Sequence, residues 1–495
     1  MFADKVKPAT HWFLEENPLL SGIPHFETPA DLLEHLSFSP LAGLDVTQLS
    51  IMDRLNLLNG EKTPLEPTSQ SLRVATAWYG MLVMGLRVRN PLLPEARRRY
   101  WTVINSAANK ADKLPPAPTS GIAVQITKGP TGTAKTVTAK RFCALLGRQR
   151  IDHEQGKVLG WNRLPQLVYL YSDLSHDGSR GGFLTALLVH MDEALGTHYA
   201  TELPKGYKTV EKLAVATIAR LIAHYTGIIF LDEGQLRNLM LSDQAALMQL
   251  FLLSLMNSGI PLVLIGNERA FDWIDYSQDL TRLNTIPPEH FQPISAADHP
   301  EIEGDWDSLF QGIADFYILD ISPKDIEACK EVLRRCSGGI ARLGLILWTS
   351  AQREILHRGG NALSAADLLA AYESRAFDDL RPLADGFAKR DPDLLLRFTD
   401  IDVDYYARAW GKPLTITEPD SAPVTKKQQA YTGRRKRSGP TLLKSEQTRK
   451  KNEELKRSDL RKNLSSDDIR REGLKDVLID GLDEARARVE SSKKG

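Results

Sequence analysis

Five short runs limit what this chain can fold into: GIAVQIT from Gly121, LVYLYS from Leu167, GIIFLDE from Gly227, PLVLIG from Pro261 and HFQPI from His290. Each has strand length and is mostly apolar, which reads as a strand buried on both faces. Helix-length segments separate the runs. Strands that need cover on two sides and alternate with helices build a parallel sheet with helices on both faces. The alternation stops near residue 296. Beyond it PKDIEACKEVLRRC and GIARLGLILWTSAQREIL have helical periodicity, and SAADLLAAYES starts on Ser364, a residue type suited to an N-cap. Ahead of the first strand the clearest periodic piece is SLRVATAWYGMLVMGL at 71–86, and KLPPAPTSG at 113–121 is a Pro-rich connector. The expected organisation is a mostly helical N-terminal region at 1–112, an α/β domain at 113–295, a helical subdomain at 296–385, and a linker and tail at 386–495.

Composition excludes several classes. With 495 residues and 42% apolar content, wholesale disorder is ruled out. Cys143, Cys329 and Cys336 lack the pairing and spacing of a disulfide framework or zinc cluster, which suits a reducing cytosol. The N-terminus has no basic start followed by an apolar core, so no signal peptide is read there. AALMQLFLLSLM is broken by Asn257-Ser258-Gly259 before Pro261 starts a new run, which gives a buried helix, a turn and a strand instead of a membrane span. The charges sum to zero, 63 against 63, but they are unevenly placed. Residues 421–495 hold 21 basic against 12 acidic side chains, and the remainder 42 against 51. An acidic body therefore carries a basic tail, with KK at 426, RRKR at 434–437 and RKK at 449–451. The tail is polar and Pro/Gly-punctuated, which reads as disordered when alone, with DDIRREGLKDVLIDGLDEARARVE as a candidate amphipathic helix.

The chemistry starts at Gly129. GPTGTAKT, from Gly129 to Thr136, lies between the run GIAVQIT and the helical segment KTVTAKRFCALLG. A loop at such a junction aims backbone N–H groups and a positive helix end at one spot, which suits a triphosphate. Pro130, Thr131, Gly132, Thr133 and Val137 complete the cradle; Lys135 would reach the β and γ phosphates, and the Thr136 hydroxyl would ligate magnesium. Ala134 stands where glycine is usual, and the start of a helix should let alanine take the needed geometry. Further on, GIIFLDEGQ delivers Asp232 and Glu233 to the carboxyl end of a strand, where ligands bind in open α/β sheets. Asp232 would hold magnesium through water, and Glu233 would act as general base on the attacking water. Asn267 caps the run PLVLIG and would orient that water. Arg282 ends a helix facing away from its own phosphate loop, where it would complete a neighbouring subunit's site. Arg342, just inside a helix start, would close a lid over the nucleotide. Elements in this order make a P-loop AAA+ module that binds ATP and Mg2+, and they imply a ring or filament of identical subunits.

Beyond these motifs the chain resembles the TnsC/TniB family of AAA+ ATPases, target-site regulators of bacterial transposition. RNPLLPEARRRYW from Arg89, YSDLSHDGSRGGFLTALLVHMDEALGTHYA from Tyr171, and GIIFLDEGQLRNL with Gln235 carry the resemblance, which spans about 80–350. The departures are Ala134 and a single Arg282 where relatives often carry an arginine pair. The resemblance implies an ATP-dependent oligomer in the bacterial cytoplasm that assembles on duplex DNA without choosing sequence. It further implies that the oligomer links a target-selection protein to transposase subunits and is reset by hydrolysis. In HDGSRGG, Ser179 and Arg180 would contact the DNA backbone, and the basic tail would bind DNA or an acidic partner. The competing readings are a replication initiator or helicase loader, a signalling or defence ATPase, and a nucleotide-binding scaffold without catalysis.

Overall fold

The computed structural model describes residues 13–414, apart from 14, 61–62, 110–113, 116–122, 157–160, 174–179, 208, 233–244, 273, 275–276 and 295–299. The chain divides into two units, Met1–Thr415 and Ile416–Gly495. All of the second unit, with the basic tail and its candidate helix, lies outside the described residues.

The strands are β1 (Val124–Lys128), β2 (Arg150–Gly156), β3 (Trp161–Leu167), β4 (Tyr169–Asp173), β5 (Ile228–Asp232), β6 (Leu262–Ile265) and β7 (Glu289–His290). Five of them form one sheet in the order β4-β5-β6-β1-β7, and every pairing is parallel. The architecture is thus the α/β parallel sheet read from the sequence. Successive side chains of a strand point to opposite faces, and in β5 and β6 both faces are apolar. Ile229 and Leu231 of β5 join Leu262 and Leu264 of β6 in a core with the helices Arg180–Leu195, Val210–Ala223 and Ala245–Met256. Phe230 and Val263 face the other way, against Trp78 of the helix Ser69–Val88 and Phe142 of the helix Lys135–Leu145. Trp78 meets Phe142 and Phe230 edge-on, with ring centroids 5.6 and 5.3 Å away. The N-terminal helix Ser69–Val88 is therefore one wall of the sheet's own core.

Three features depart from the expected pattern or add to it. The last strand is only Glu289–His290, since the run HFQPI turns away toward the helical subdomain after its first residue. An antiparallel hairpin, β2 with β3, is inserted before β4. Its polar face holds Asp152 between Arg150 and Arg163, at 2.8 and 3.0 Å. Order also continues beyond residue 385: helices Pro392–Leu395 and Val403–Ala409 and the segment between them bury Leu395, Ile401 and Tyr406 in the core of the helical subdomain. That core is built by helices Pro300–Ala314, Ile326–Ser337, Ala341–His357 and Ala365–Glu373. Ser364 heads the last of these, and its backbone N–H and hydroxyl both donate to Asp367 Oδ2. Among the described residues no helix is long and apolar enough to cross a membrane.

The RNP segment has a structural explanation. Arg89 is buried with no carboxylate beside it among the described residues, and its guanidinium donates to the carbonyls of Gly85 (2.9 Å), Thr226 (2.6 Å) and Gly227 (3.1 Å). Burial pushes its pKa down to about 9, which leaves it charged at neutral pH. Asn90 adds a bond from Nδ2 to the Glu16 carbonyl at 2.8 Å. Arg89 thus fastens the end of the helix Ser69–Val88 to the turn that starts β5, and Asn90 fastens it to the segment around Glu16. Arg89→Ala should cost about 3 kcal/mol or more in urea unfolding, because three buried carbonyls lose a charged donor, and Arg89→Lys should recover only part of it. A loss below about 1 kcal/mol would show that water replaces the guanidinium.

Candidate nucleotide site

The sheet register levels the carboxyl ends of three strands. Thr127 pairs with Ile265 across β1 and β6, and Leu231 with Leu264 across β5 and β6. The residues after these strands therefore share one edge, and they line a cavity of about 630 Å³, within the usual size of small-molecule sites. Lys135, Thr136, Val137, Asp232, Asn267 and Arg342 all reach its wall.

The loop from Gly129 to Ala134 is shaped by what it touches. Gly129 has φ 153°, and a Cβ there would lie 2.3 Å from the Phe291 carbonyl oxygen. Gly132 has φ 91°, and its carbonyl accepts from the Arg342 backbone N–H at 3.0 Å, so the helical subdomain rests on the loop. Thr133 Oγ1 donates to the Pro130 carbonyl at 2.8 Å. Lys135 Nζ curls back to the carbonyls of Gly129 (2.9 Å) and Pro130 (2.8 Å). Ala134 corrects one expectation. It sits at φ 71°, ψ 10°, the left-handed region, and not in a conformation ordinary for alanine at a helix start. An L-residue there costs about 1–2 kcal/mol from Cβ meeting the following carbonyl. The alanine takes the loop geometry, but under strain.

Thr136 Oγ1 donates to Asp232 Oδ2 at 2.8 Å, linking the first turn of the helix after the loop to the end of β5. Tyr171, from the middle of β4, donates to the same oxygen. Burial, then the Asp232 charge, push the Tyr171 hydroxyl far above the usual phenol range, so it remains a donor. A hydroxyl and a carboxylate this close form a hard oxygen donor set suited to magnesium. Among the described residues Asn267 Oδ1 is buried without a hydrogen-bond partner, a polar atom on the cavity wall that a ligand or water would satisfy. Arg342 keeps an exposed side chain at the mouth.

Other expected residues stand elsewhere. Arg282 Nη2 donates to Asn257 Oδ1 at 2.9 Å, and Asn257 precedes β6, so this arginine lies at the sheet edge opposite the loop. Arg180 heads its helix and pairs with Glu211 at 2.8 Å. Ser179, Glu233 and Gln235 lie outside the described residues. Motif reading missed Tyr171, which looks like one more core aromatic of its strand. It also missed the far wall of the cavity, where Leu58, Pro64 and Glu66 face Phe316 and Ile346.

A family model of the AAA domain matches residues 124–274. No curated protein matches. Similar solved structures include the Thermotoga maritima RuvB Holliday junction branch migration motor, 12% identical with a TM-score of 0.30 over 65% of this chain and 83% of that one. Another is Aeropyrum pernix ORC1 in complex with DNA, 19% identical with a TM-score of 0.34 over 62% and 70%. A third is Pyrobaculum aerophilum Cdc6p, 14% identical with a TM-score of 0.35 over 66% and 83%.

Relief of the strain at Ala134 is measurable. Ala134→Gly should stabilise the nucleotide-free chain by about 0.5–1 kcal/mol, the left-handed penalty removed less the extra unfolded-state freedom of glycine. A fall in the unfolding midpoint would mean that the methyl group contributes more by packing than it costs in strain.

Proposed function

We propose that this chain is an ATP-hydrolysing switch that assembles on duplex DNA and regulates transposition, in the manner of the TnsC/TniB proteins that its sequence resembles. The observation that carries the nucleotide part is the grouping of Lys135, the Thr136–Asp232 pair and the unsatisfied Asn267 on one cavity wall. Lys135 would exchange its carbonyl partners for the β and γ phosphates, and backbone N–H groups of the loop would hold the remaining phosphate oxygens. Thr136 and Asp232 would hold magnesium, which would supply neutralisation of phosphate charge when bound. Glu233 follows Asp232 directly, and its carboxylate would take the proton of the attacking water that Asn267 orients. Arg342 would draw the helical subdomain over the phosphates. Arg282, at the opposite sheet edge, would leave Asn257 to serve a neighbouring copy's site in a ring or filament.

The DNA and transposition part rests on the segments Tyr171–Ala200 and Gly227–Leu239 and on the basic tail. Arg180 would have to trade Glu211 for a DNA phosphate, and Ser179 and the KK, RRKR and RKK clusters would add sequence-neutral contacts. A target-selection protein and transposase subunits are the partners this reading brings with it, in a bacterial cytoplasm. Hydrolysis would disassemble the platform and so time its use.

Electron microscopy with duplex DNA and a nonhydrolysable ATP analogue should show rings or filaments around DNA; isolated protomers under those conditions would contradict the reading. Lys135→Ala should abolish nucleotide binding. Glu233→Gln should retain ATP and stay on DNA, and unchanged turnover in that variant would remove Glu233 from the base role. Deleting residues 421–495 should spare ATPase activity and weaken DNA or transposase binding.

A further inference from the structure

The chain after the helical subdomain returns to the nucleotide edge as a strap. Its helix Val403–Ala409 is seated by Tyr406, whose ring meets Phe387 edge-on with centroids 5.0 Å apart. Ahead of that helix Asp400 Oδ2 accepts from Thr131 Oγ1 of the phosphate loop at 3.4 Å, and the Thr399 carbonyl accepts from Arg269 at 3.5 Å. The strap thus touches both the loop and the segment leaving β6.

At the centre of this contact is Glu268, the residue after Asn267. Its side chain is 1% exposed, yet no arginine or lysine bridges it among the described residues. Its carboxylate instead accepts from the Asp402 backbone N–H at 2.7 Å, from the Tyr406 hydroxyl, and from His290 Nε2 at 3.0 Å. Gln292 Nε2 lies 2.9 Å from His290 Nδ1, which makes Nδ1 the acceptor and leaves Nε2 to donate to Glu268. Gln292 is held in turn through its backbone N–H, which donates to Gln70 Oε1 at 2.6 Å. One buried carboxylate therefore gathers the strap, the end of β7 and, through Gln292, the N-terminal helix Ser69–Val88. A buried carboxylate is costly unless it is fully hydrogen-bonded, so a site that retains one favours a single arrangement of its partners. The residue this arrangement fixes is Asn267, whose side chain faces the cavity while its neighbour faces the strap.

We propose that Glu268 is a positioning residue: by locking the end of β6 to the strap it holds Asn267 where the attacking water must be oriented, so turnover requires a seated strap. The proposal rests on the reading of the site as an ATPase. A water-orienting group displaced by about 1 Å loses a large factor in rate while nucleotide binding, carried by the loop, is retained.

The test uses the full chain and compares wild type with Glu268→Gln, Tyr406→Phe, Asn267→Ala and the double variant Glu268→Gln/Asn267→Ala. Phosphate release, KM for ATP and equilibrium binding of a fluorescent nonhydrolysable ATP analogue are measured for each. Glu268→Gln should lower kcat about tenfold or more with KM and affinity within about threefold of wild type, and Tyr406→Phe should lower kcat several-fold. The double variant should turn over within about twofold of Asn267→Ala alone, since both changes remove one function. A role confined to stability would not produce that non-additivity. If Glu268→Gln does not fold, Tyr406→Phe, which removes one hydroxyl, carries the comparison. Turnover of Tyr406→Phe within about twofold of wild type, or losses that multiply in the double variant, would overturn the proposal. Wild-type protein that binds the analogue but releases no phosphate would instead overturn the ATPase reading, and this proposal with it.

Discussion

The hydrogen bond from Thr136 Oγ1 to Asp232 Oδ2, 2.8 Å long, joins the two halves of the site, and much of the structure serves to make it possible. Thr136 is fixed by the helix that begins at Lys135, and that helix packs Phe142 against Trp78 and Phe230. Asp232 is fixed by β5, which is apolar on both sides and held between β4 and β6. The start of β5 is held by Arg89 through the Thr226 and Gly227 carbonyls, so an N-terminal cation with no chemistry of its own supports a carboxylate at the other end of the strand. Tyr171 adds a second donor to Asp232 from the edge strand. Each support reaches the site through packing or a buried hydrogen bond, the kind of link that holds a polar group in one position.

The phosphate loop shows the opposite economy. It accepts strain at Ala134 and crowding at Gly129, and the helical subdomain leans on it through the Arg342 N–H to the Gly132 carbonyl. The loop is thus braced from the helical subdomain and strained at the helix start. The strap, which touches Thr131 and Glu268 at once, adds a brace from the C-terminal side.

The sheet was legible because β5 and β6 are continuous apolar runs and β1 differs only in its buried Gln125 and Thr127, and burial on both faces leaves few alternatives. The phosphate loop, Asp232 and Asn267 were legible because each ends such a run, and a strand's carboxyl end has a known address. The hairpin β2–β3 was not, since Asp152 and Glu154 alternate with Ile151 and His153 in a pattern no stronger than that of a loop. The strap was missed for a related reason: helices of four and seven residues span too few turns to show a period. The conformation of Ala134 could not be read from its letter, because the loop's closure and not the residue's preference sets it. Leu58, Pro64 and Glu66 carry no motif, and it is the return of the N-terminal segment to the helical subdomain that makes them part of the cavity.

The central claim is that the cavity at the ends of β1, β5 and β6 takes a magnesium-bound nucleoside triphosphate through Lys135, Thr136 and Asp232. Equilibrium titration of the full chain with a nonhydrolysable ATP analogue, with magnesium and with EDTA, tests it most directly. The account predicts one analogue per chain and an affinity about tenfold or more tighter with magnesium, the contribution of the Thr136–Asp232 oxygens. Equal affinity with and without magnesium, or no binding by the folded chain, would contradict it.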